Sequence, residues 1–348
     1  MGSLNALRRG SLATVVLVFG FLSLLLLGVL VAVDALLLSI DYASGLAIVA
    51  LLAIVFMLLQ WAIAPVIVRW AIRGRRAVTP ESNPWLRETV EEAARQAGVP
   101  PPRIWTSEDR APNAFVFGRT TRSADLVVTQ GLLERLNQDE VRAVLAHEIG
   151  HLRHRDVIIM TWVSAVPLLA YVLARLGFEA LRGTKSSGNS KGSGQAILAY
   201  LVYLITQLLV LHLSRTREYY ADAYSAAATR DPHLLASALT KIAYGLSLAR
   251  KESEPSGLRA FYIGDPVKAH DDVRGIHEKV TAYDLDRDGQ IDAFELQKAL
   301  EAERRNPWSR ANELFRTHPH TYRRILMLEQ MEEEIKRGGL PANVYEYV

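Results

Sequence analysis

Two long apolar segments near the N-terminus constrain this chain more than any other feature of its sequence. One runs from Leu12 to Val33 and the other from Leu46 to Val68, and no Lys or Arg lies within residues 10–68. Each segment reaches the length of about 20 helical residues that is needed to cross the hydrocarbon core of a bilayer. The sequence therefore predicts an N-terminal transmembrane hairpin in residues 1–76.

The charges around this hairpin predict its orientation. Arg8 and Arg9 precede the first segment and Arg69 follows the second, whereas Asp34 and Asp41 lie in the connection between them. Cytoplasmic flanks of membrane spans carry an excess of Lys and Arg. Both ends of the hairpin, and the polar residues that follow it, are therefore expected in the cytoplasm.

A second pair of apolar segments occupies residues 157–174 and 196–213, on either side of a Gly/Ser-rich loop at 183–195. Each of these segments is close to the shortest length that spans a bilayer. The sequence leaves open whether 157–213 crosses the membrane twice or enters and returns as a re-entrant hairpin. Both arrangements end on the side where they begin.

Residues 77–156 and 214–348 have the mixed polar and apolar pattern of a soluble domain. The pattern predicts an amphipathic helix over 85–97, three short strands, and a helix that begins with the capping box Asn137 and Glu140. The strands are predicted at 103–106, 113–117 and 124–129. The expected fold class is α+β, mainly helical, with two membrane hairpins and a cytoplasmic domain of helices and a small β-sheet.

Composition excludes several classes of function. The chain has no cysteine, which rules out disulfide scaffolds, thiol catalysis and cysteine-based zinc fingers. Its net charge of +3 is too small to argue for a nucleic-acid partner. Any bound metal ion is therefore expected to be held by His, carboxylate or backbone oxygen ligands.

A metal-binding pattern lies on the helix predicted at 139–155, where the sequence reads AHEIGH. His147 and His151 are four residues apart and project from one helical face, and Glu148 lies beside them, within reach of a metal-bound water. The alternative is a polar helix that contains two His by chance, because His154 makes the segment rich in His anyway.

A third ligand is expected in the helix that follows the last apolar segment. Glu218 and Asp222 are again four residues apart, in the sequence REYYAD. Catalytic zinc usually has three protein ligands and an open position for water, so Glu218 is the candidate third ligand. Asp222 is suited to accept the free imidazole N–H of a ligating His. Alone, these charges would be interpreted as ordinary surface residues of a helix.

These motifs together resemble the HtpX-type membrane zinc metallopeptidases, which are gluzincins related to the CAAX prenyl proteases. The resemblance rests on HEIGH, REYYAD, the N-terminal hairpin, PNAFVFG at 112–118 and THPHTYRRI at 317–325, and it covers residues 5–265 and 310–337. It implies a zincin-type catalytic domain in which His147, His151 and Glu218 bind zinc. It also implies that Glu148 is the general base and that Asn113, Ala114 and Phe115 line the substrate groove.

His318 and Arg324 match the C-terminal motif of that family. His318 is a candidate catalytic residue that donates a hydrogen bond to the oxyanion. The alternative is that Thr317 and Pro319 start an amphipathic helix and that His318 lies in the turn before it.

One segment departs from the family pattern and resembles an EF-hand calcium loop. Gly289 occupies the position of the tight turn, and helical patterns flank the loop within residues 273–305. The predicted calcium ligands are Asp284, Asp286, Asp288, the Gln290 carbonyl, Asp292 and Glu295. The alternative is an acidic, solvated turn. Because EF-hands normally pair, this single loop would pair across a homo-oligomer, pack on the protease domain, or bind calcium weakly.

The predicted function is that of a zinc endopeptidase at the cytoplasmic surface of the cell membrane, acting on misfolded or membrane-associated proteins and modulated by calcium. The expected partners are polypeptide substrates and the lipid bilayer. A CAAX-type processing protease is an alternative, although four apolar segments are fewer than the enclosure of those enzymes suggests. The non-enzymatic alternative, a membrane calcium sensor, predicts a damaged HExxH motif, and this motif is intact.

Overall fold

The structure is a computed structural model that describes residues 42–72, 74–163, 192–249 and 316–337, together with residues 166, 167, 170, 174 and 314. The chain divides into two compact units. The first contains Met1–Ile67 and Met160–Val210, and the second contains Val68–Ile159 and Leu211–Val348. The predicted span at 12–33 and the predicted calcium loop at 284–295 lie outside the described residues.

The described helices and strands follow one another in an order that confirms the mainly helical α+β class. They are α1 (Tyr42–Ala71), β1 (Arg76–Ala77), α2 (Pro84–Ala97), β2 (Arg103–Ser107), β3 (Ala114–Phe117), β4 (Asp125–Thr129), α3 (Gln130–Arg135), α4 (Gln138–Arg153), α5 (Asp156–Val163), α6 (Gly192–Thr229), α7 (Pro232–Ala249) and α8 (Thr321–Lys336). The predicted Gly/Ser loop ends earlier than expected, because α6 already begins at Gly192.

The predicted spans at 46–68 and 196–213 fall within α1 and α6. None of the helices in the described part of the chain combines the length and the apolar content that crossing a membrane requires. The predicted span at 157–174 is described only in part, since residues 164, 165, 168, 169 and 171–173 lie outside the described residues. The division of the chain into membrane hairpins and a catalytic domain therefore stays a prediction.

The four strands of the second unit form one mixed sheet in the order β1-β2-β4-β3. β2 and β4 are parallel, whereas β1 and β3 are antiparallel to their neighbours. All five residues of β4 are buried, as expected for a strand with a neighbour on each side. The third predicted strand is therefore central, and the second, β3, lies at an edge.

Two helices of the second unit meet along apolar faces that the sequence already suggested. On α2, Leu86, Val90 and Ala94 follow the four-residue spacing of one helical face, and all three are fully buried. The facing side of α4 buries Val144, Leu145, Ile149 and their neighbours. Burying each large aliphatic side chain contributes roughly 1.5–3 kcal/mol, so this contact holds α4 firmly against α2.

The N-terminus of α4 is fixed by the capping box that the sequence predicted. Asn137 Oδ1 accepts from the Glu140 N–H at 2.9 Å, and Glu140 Oε2 accepts from the Asn137 N–H at 2.9 Å. Glu140 Oε1 also accepts from Ser237 and Lys241 of α7, at 2.7 and 2.6 Å. Although burial acts to raise it, these contacts lower the pKa of Glu140. The start of α4 is thus tied to α7.

Candidate metal centre

The last two turns of α4 carry the HEIGH sequence into the interior of the second unit. His147 and His151 lie one turn apart on the same face, and their Nε2 atoms are 3.2 Å from each other. His147 is 1% exposed and Glu148 is 3% exposed. The motif is therefore buried, which argues against the solvated helix that the sequence left open.

Helix α6 brings Glu218 to both imidazoles. Glu218 Oε2 lies 3.7 Å from His147 Nε2, and Glu218 Oε1 lies 3.7 Å from His151 Nε2. Zinc binds N and O ligands at about 2.0–2.2 Å, so tetrahedral ligand atoms lie about 3.4 Å apart. The observed separations fit that geometry. Within the described residues, this trio is the one group of three such side chains with ligand atoms within 4.8 Å of one another.

The buried oxygen of Glu218 supports the same conclusion. Glu218 Oε2 has no hydrogen bond, although Arg324 Nη1 lies 3.3 Å away. Burial acts to raise the pKa of Glu218, but His318 and Arg324 outweigh it and hold that pKa well below its usual range. An ionised, buried carboxylate without a full set of partners is costly. A cation between Glu218 and the two His would satisfy it, so these residues fit a zinc ion.

Gly150 allows the two helices to approach closely enough for this arrangement. A Cβ atom at Gly150 would lie 3.0 Å from Tyr224 Cδ1 and 3.3 Å from the Ala221 Cα, both on α6. Close to the same crossing, the buried Ser225 hydroxyl donates to the Ala143 carbonyl at 2.7 Å. The glycine inside HEIGH therefore has a packing role that spacing arguments about ligands did not identify.

Asp222 and Arg324 lie behind His147. Asp222 Oδ1 lies 2.9 Å from His147 Nδ1, and the guanidinium of Arg324, on α8, donates to both Asp222 oxygens at 2.7 Å. Burial acts to raise the pKa of Asp222, yet the Arg324 charge and hydrogen bonds lower it. Asp222 is thus an anion that faces the Nδ1 atom, and His147 directs Nε2 toward Glu218. The sequence alone had assigned no partner to Arg324.

His151 has a carboxylate neighbour of its own, which the sequence analysis missed. Asp156 Oδ2 lies 2.8 Å from His151 Nδ1. Burial acts to lower the pKa of His151, but Asp156 and Glu218 outweigh it and raise that pKa to about 9. The available signal was an acidic residue five positions after His151, just beyond the end of the predicted helix.

Glu148 projects from α4 toward the edge strand β3. Its carboxylate accepts from the backbone N–H of Val116. Burial, together with the nearby charge of Glu218, raises the pKa of Glu148 to about 8, although His151 and the Val116 N–H act in the opposite direction. Glu148 is therefore beside the two His but is not one of the three grouped ligands.

The structure places the predicted groove residues on or next to β3, which has no neighbouring strand on its outer side among the described residues. Asn113 precedes β3, where its N–H donates to Thr129 Oγ1 at 2.8 Å and its carbonyl accepts from the Thr129 N–H at 2.9 Å. Because antiparallel pairs alternate, Phe115 pairs inward with β4 like Asn113, and Ala114 and Val116 direct their backbone groups to the open edge. The Val116 N–H donates to Glu148 and not to β4, as this alternation requires.

His318 also lies beside the candidate metal ligands. Its Nδ1 atom is 3.2 Å from Glu218 Oε1, and its side chain is 13% exposed. The helix expected near Thr317 begins later, at Thr321, with His320 as its N-cap. His318 therefore precedes the helix and also faces a metal ligand, so both predicted roles are compatible with its position.

Comparisons with known proteins relate the chain to one family of peptidases. Residues 80–332 match the profile of Peptidase family M48. The Protease HtpX homolog of Aeropyrum pernix is 34% identical, over 84% of this chain and 87% of that protein. The Protease HtpX homolog of Methanothermobacter thermautotrophicus is 40% identical, over 68% of this chain and 88% of that protein.

A solved structure shares the fold. The crystal structure of S. mikatae Ste24p superposes with a TM-score of 0.52 and 19% sequence identity. The match covers 78% of this chain and 66% of that protein, slightly less than two thirds of its length. At this identity the likeness concerns the fold alone.

Proposed function

Since the chain belongs to peptidase family M48 and is an HtpX-like zinc metallopeptidase, we propose that it cleaves internal peptide bonds of misfolded or membrane-associated proteins at the cytoplasmic membrane surface. The observation that carries this proposal is the meeting of His147, His151 and Glu218 beside the buried Glu148. The substrates of a protease are polypeptides.

His147, His151 and Glu218 would hold the zinc ion, and Glu148 supplies the proton transfers. Zinc bound there would lower the pKa of the attacking water and polarise the scissile carbonyl. Glu148 takes a proton from the attacking water and passes it to the leaving amine. Burial raises the pKa of Glu148 to about 8, and a cation held by the three ligands would lower it, so that the carboxylate is ionised and can accept a proton near neutral pH.

The free edge of β3 is the proposed site for the substrate backbone. An extended peptide pairs with an open strand edge through main-chain hydrogen bonds. Such bonds depend little on the side chains of the peptide. On that edge Ala114 offers its N–H and carbonyl and Val116 its carbonyl, while the Val116 N–H donates to Glu148. Asn113, Ala114 and Phe115 then line the groove, which favours an endopeptidase of broad specificity. We assign His318, whose Nδ1 lies 3.2 Å from Glu218 Oε1, the donation of a hydrogen bond to the oxyanion.

Exposed apolar side chains support attachment to a membrane. Large exposed apolar surfaces are uncommon on soluble monomers and are typical of surfaces that contact lipid or other proteins. Both α1 and α6 present such side chains, including Leu51, Ile54, Leu59, Val66, Ile205 and Leu209, each at least half exposed. We therefore propose that 1–76 and 157–213 anchor the chain and that 77–156 and 214–348 form the cytoplasmic catalytic domain.

Metal removal tests the catalytic proposal directly. We expect about one zinc ion per purified chain, digestion of both casein and a detergent-solubilised membrane protein, and loss of both activities with a zinc chelator. Adding zinc back should restore them, whereas magnesium serves as the control and should not. Digestion that survives complete removal of zinc would contradict the mechanism.

A calcium site is the second proposal, and it rests on the sequence of residues 284–295. Five carboxylates and Gly289 occupy the positions that an EF-hand loop requires. We expect calorimetry to detect binding in about the micromolar to millimolar range of such loops and expect Glu295→Gln, which removes the bidentate ligand, to abolish it. Absence of binding at millimolar calcium rejects the site. Binding that leaves proteolysis unchanged rejects calcium regulation.

A further inference from the structure

Asp156 makes a contact with His151 that mirrors the contact between Asp222 and His147. Asp156 Oδ2 lies 2.8 Å from His151 Nδ1, and the Asp156 side chain is buried. The other oxygen of Asp156 accepts from the Arg217 guanidinium. Each of the two imidazoles therefore has a buried carboxylate at Nδ1, and each carboxylate is paired with an arginine.

The backbone between α4 and α5 turns sharply to bring Asp156 to this position. Helix α4 ends at Arg153, and Arg155 adopts φ 60°, in the left-handed region that is unfavourable for a residue other than glycine. Arg217 Nη2 donates to the His154 carbonyl in the same turn at 2.7 Å. Arg217 thus holds both the turn and the carboxylate that the turn presents.

A hydrogen bond at Nδ1 determines what the other nitrogen of an imidazole can do. When Nδ1–H donates to a carboxylate, Nε2 keeps a lone pair for a metal ion, and the ring cannot rotate freely. The Nε2 atom of His151 faces Glu218 Oε1 at 3.7 Å, which is the ligand side of the centre. The contact with Asp156 therefore leaves the Nε2 lone pair of His151 available to a metal ion on the side of Glu218.

We propose that Asp156 and Arg217 are a pair of positioning residues, in which Arg217 holds the Asp156 carboxylate and that carboxylate fixes the tautomer and orientation of His151, which increases zinc affinity. The proposal rests on the assignment of the zinc site above. Helix α6 would then control both imidazoles, because Asp222 contacts His147 directly and Arg217 acts on His151 through Asp156.

Zinc affinity of the full-length chain, measured by competition with a chromophoric chelator, tests the proposal. Removing an outer carboxylate partner of a ligating His typically costs about 10–100-fold in metal affinity, and we expect Asp156→Ala to fall in this range. Asp156→Asn retains an acceptor oxygen and should lose less. Arg217→Met should weaken zinc binding in the same direction, and the double variant should be no weaker than Asp156→Ala because the two residues act as one unit.

Lys241→Met is the matched control. It removes the ion pair between Lys241 and Glu140, which lies in the first turn of α4, two turns before His147. Zinc affinity should therefore stay within about twofold of wild type. Melting temperatures of the zinc-free variants separate a general loss of stability from a change at His151. An effect on stability alone would assign Asp156 a purely structural role and overturn the proposal.

The outcomes also separate this proposal from the assignment of the site. If the wild-type chain binds no zinc, the zinc site itself is wrong. If wild type binds zinc and Asp156→Ala binds it within about twofold as tightly, only the positioning role is rejected. Should Asp156→Ala fail to fold, Arg217→Met decides, and unchanged zinc affinity in that variant contradicts the proposal.

Discussion

Glu148→Gln is expected to lower the rate of proteolysis by about 10²–10⁴-fold or more, because it removes the group that accepts the proton of the attacking water. The change is nearly isosteric, so the buried side chain keeps its volume next to Val116. The measurement is the initial rate of casein digestion by wild type and variant at equal protein concentration.

Zinc content distinguishes loss of the general base from loss of the metal. Glu148 is not among the grouped ligands His147, His151 and Glu218, so zinc should remain bound in Glu148→Gln. Glu91→Gln, on the surface of α2, is the matched control and should digest casein at the wild-type rate. A Glu148→Gln enzyme that is as fast as wild type would rule out the proposed role of this carboxylate.

Glu218→Ala is expected to weaken zinc binding by more than the roughly 100-fold upper range for outer-shell changes, and to abolish proteolysis as a consequence. Two effects combine in this variant. One of three ligands disappears, and the positive charge of Arg324, whose Nη1 lies 3.3 Å from Glu218 Oε2, loses one of its two neutralising carboxylates. A buried site that becomes more positive binds a dication less well.

The measurement is the zinc content after dialysis, followed by chelator competition. Thr216→Ala, on an exposed part of the same helix α6, is the control and should retain zinc. Retention of zinc at wild-type affinity by Glu218→Ala would remove Glu218 from the ligand set. The two variants should differ in zinc content. Glu148→Gln should lose proteolysis while zinc stays bound, whereas Glu218→Ala should lose both proteolysis and zinc.

Local features of this fold could be predicted from the sequence because they depend on neighbours along the chain. The helix at 84–97, the capping box of Asn137 and Glu140, and the projection of His147 and His151 from one face follow from helical periodicity and short-range hydrogen bonds. The three predicted strands were found within one or two residues of their expected ends. No local signal indicated the two-residue strand β1, which depends on pairing with β2.

The sequence alone indicated His147, His151 and Glu218 as candidate zinc ligands, because HEIGH puts two His on one helical face and REYYAD supplies a carboxylate. How these side chains are held depends on contacts between helices that are far apart in the sequence. Gly150 permits the helix crossing, Arg324 arrives from α8 to pair with Asp222, and a left-handed turn returns Asp156 to His151. These contacts join residues that are distant in sequence or separated by a sharp turn. Periodicity carries no information about them, because they depend on the packing of α4, α6 and α8 against one another.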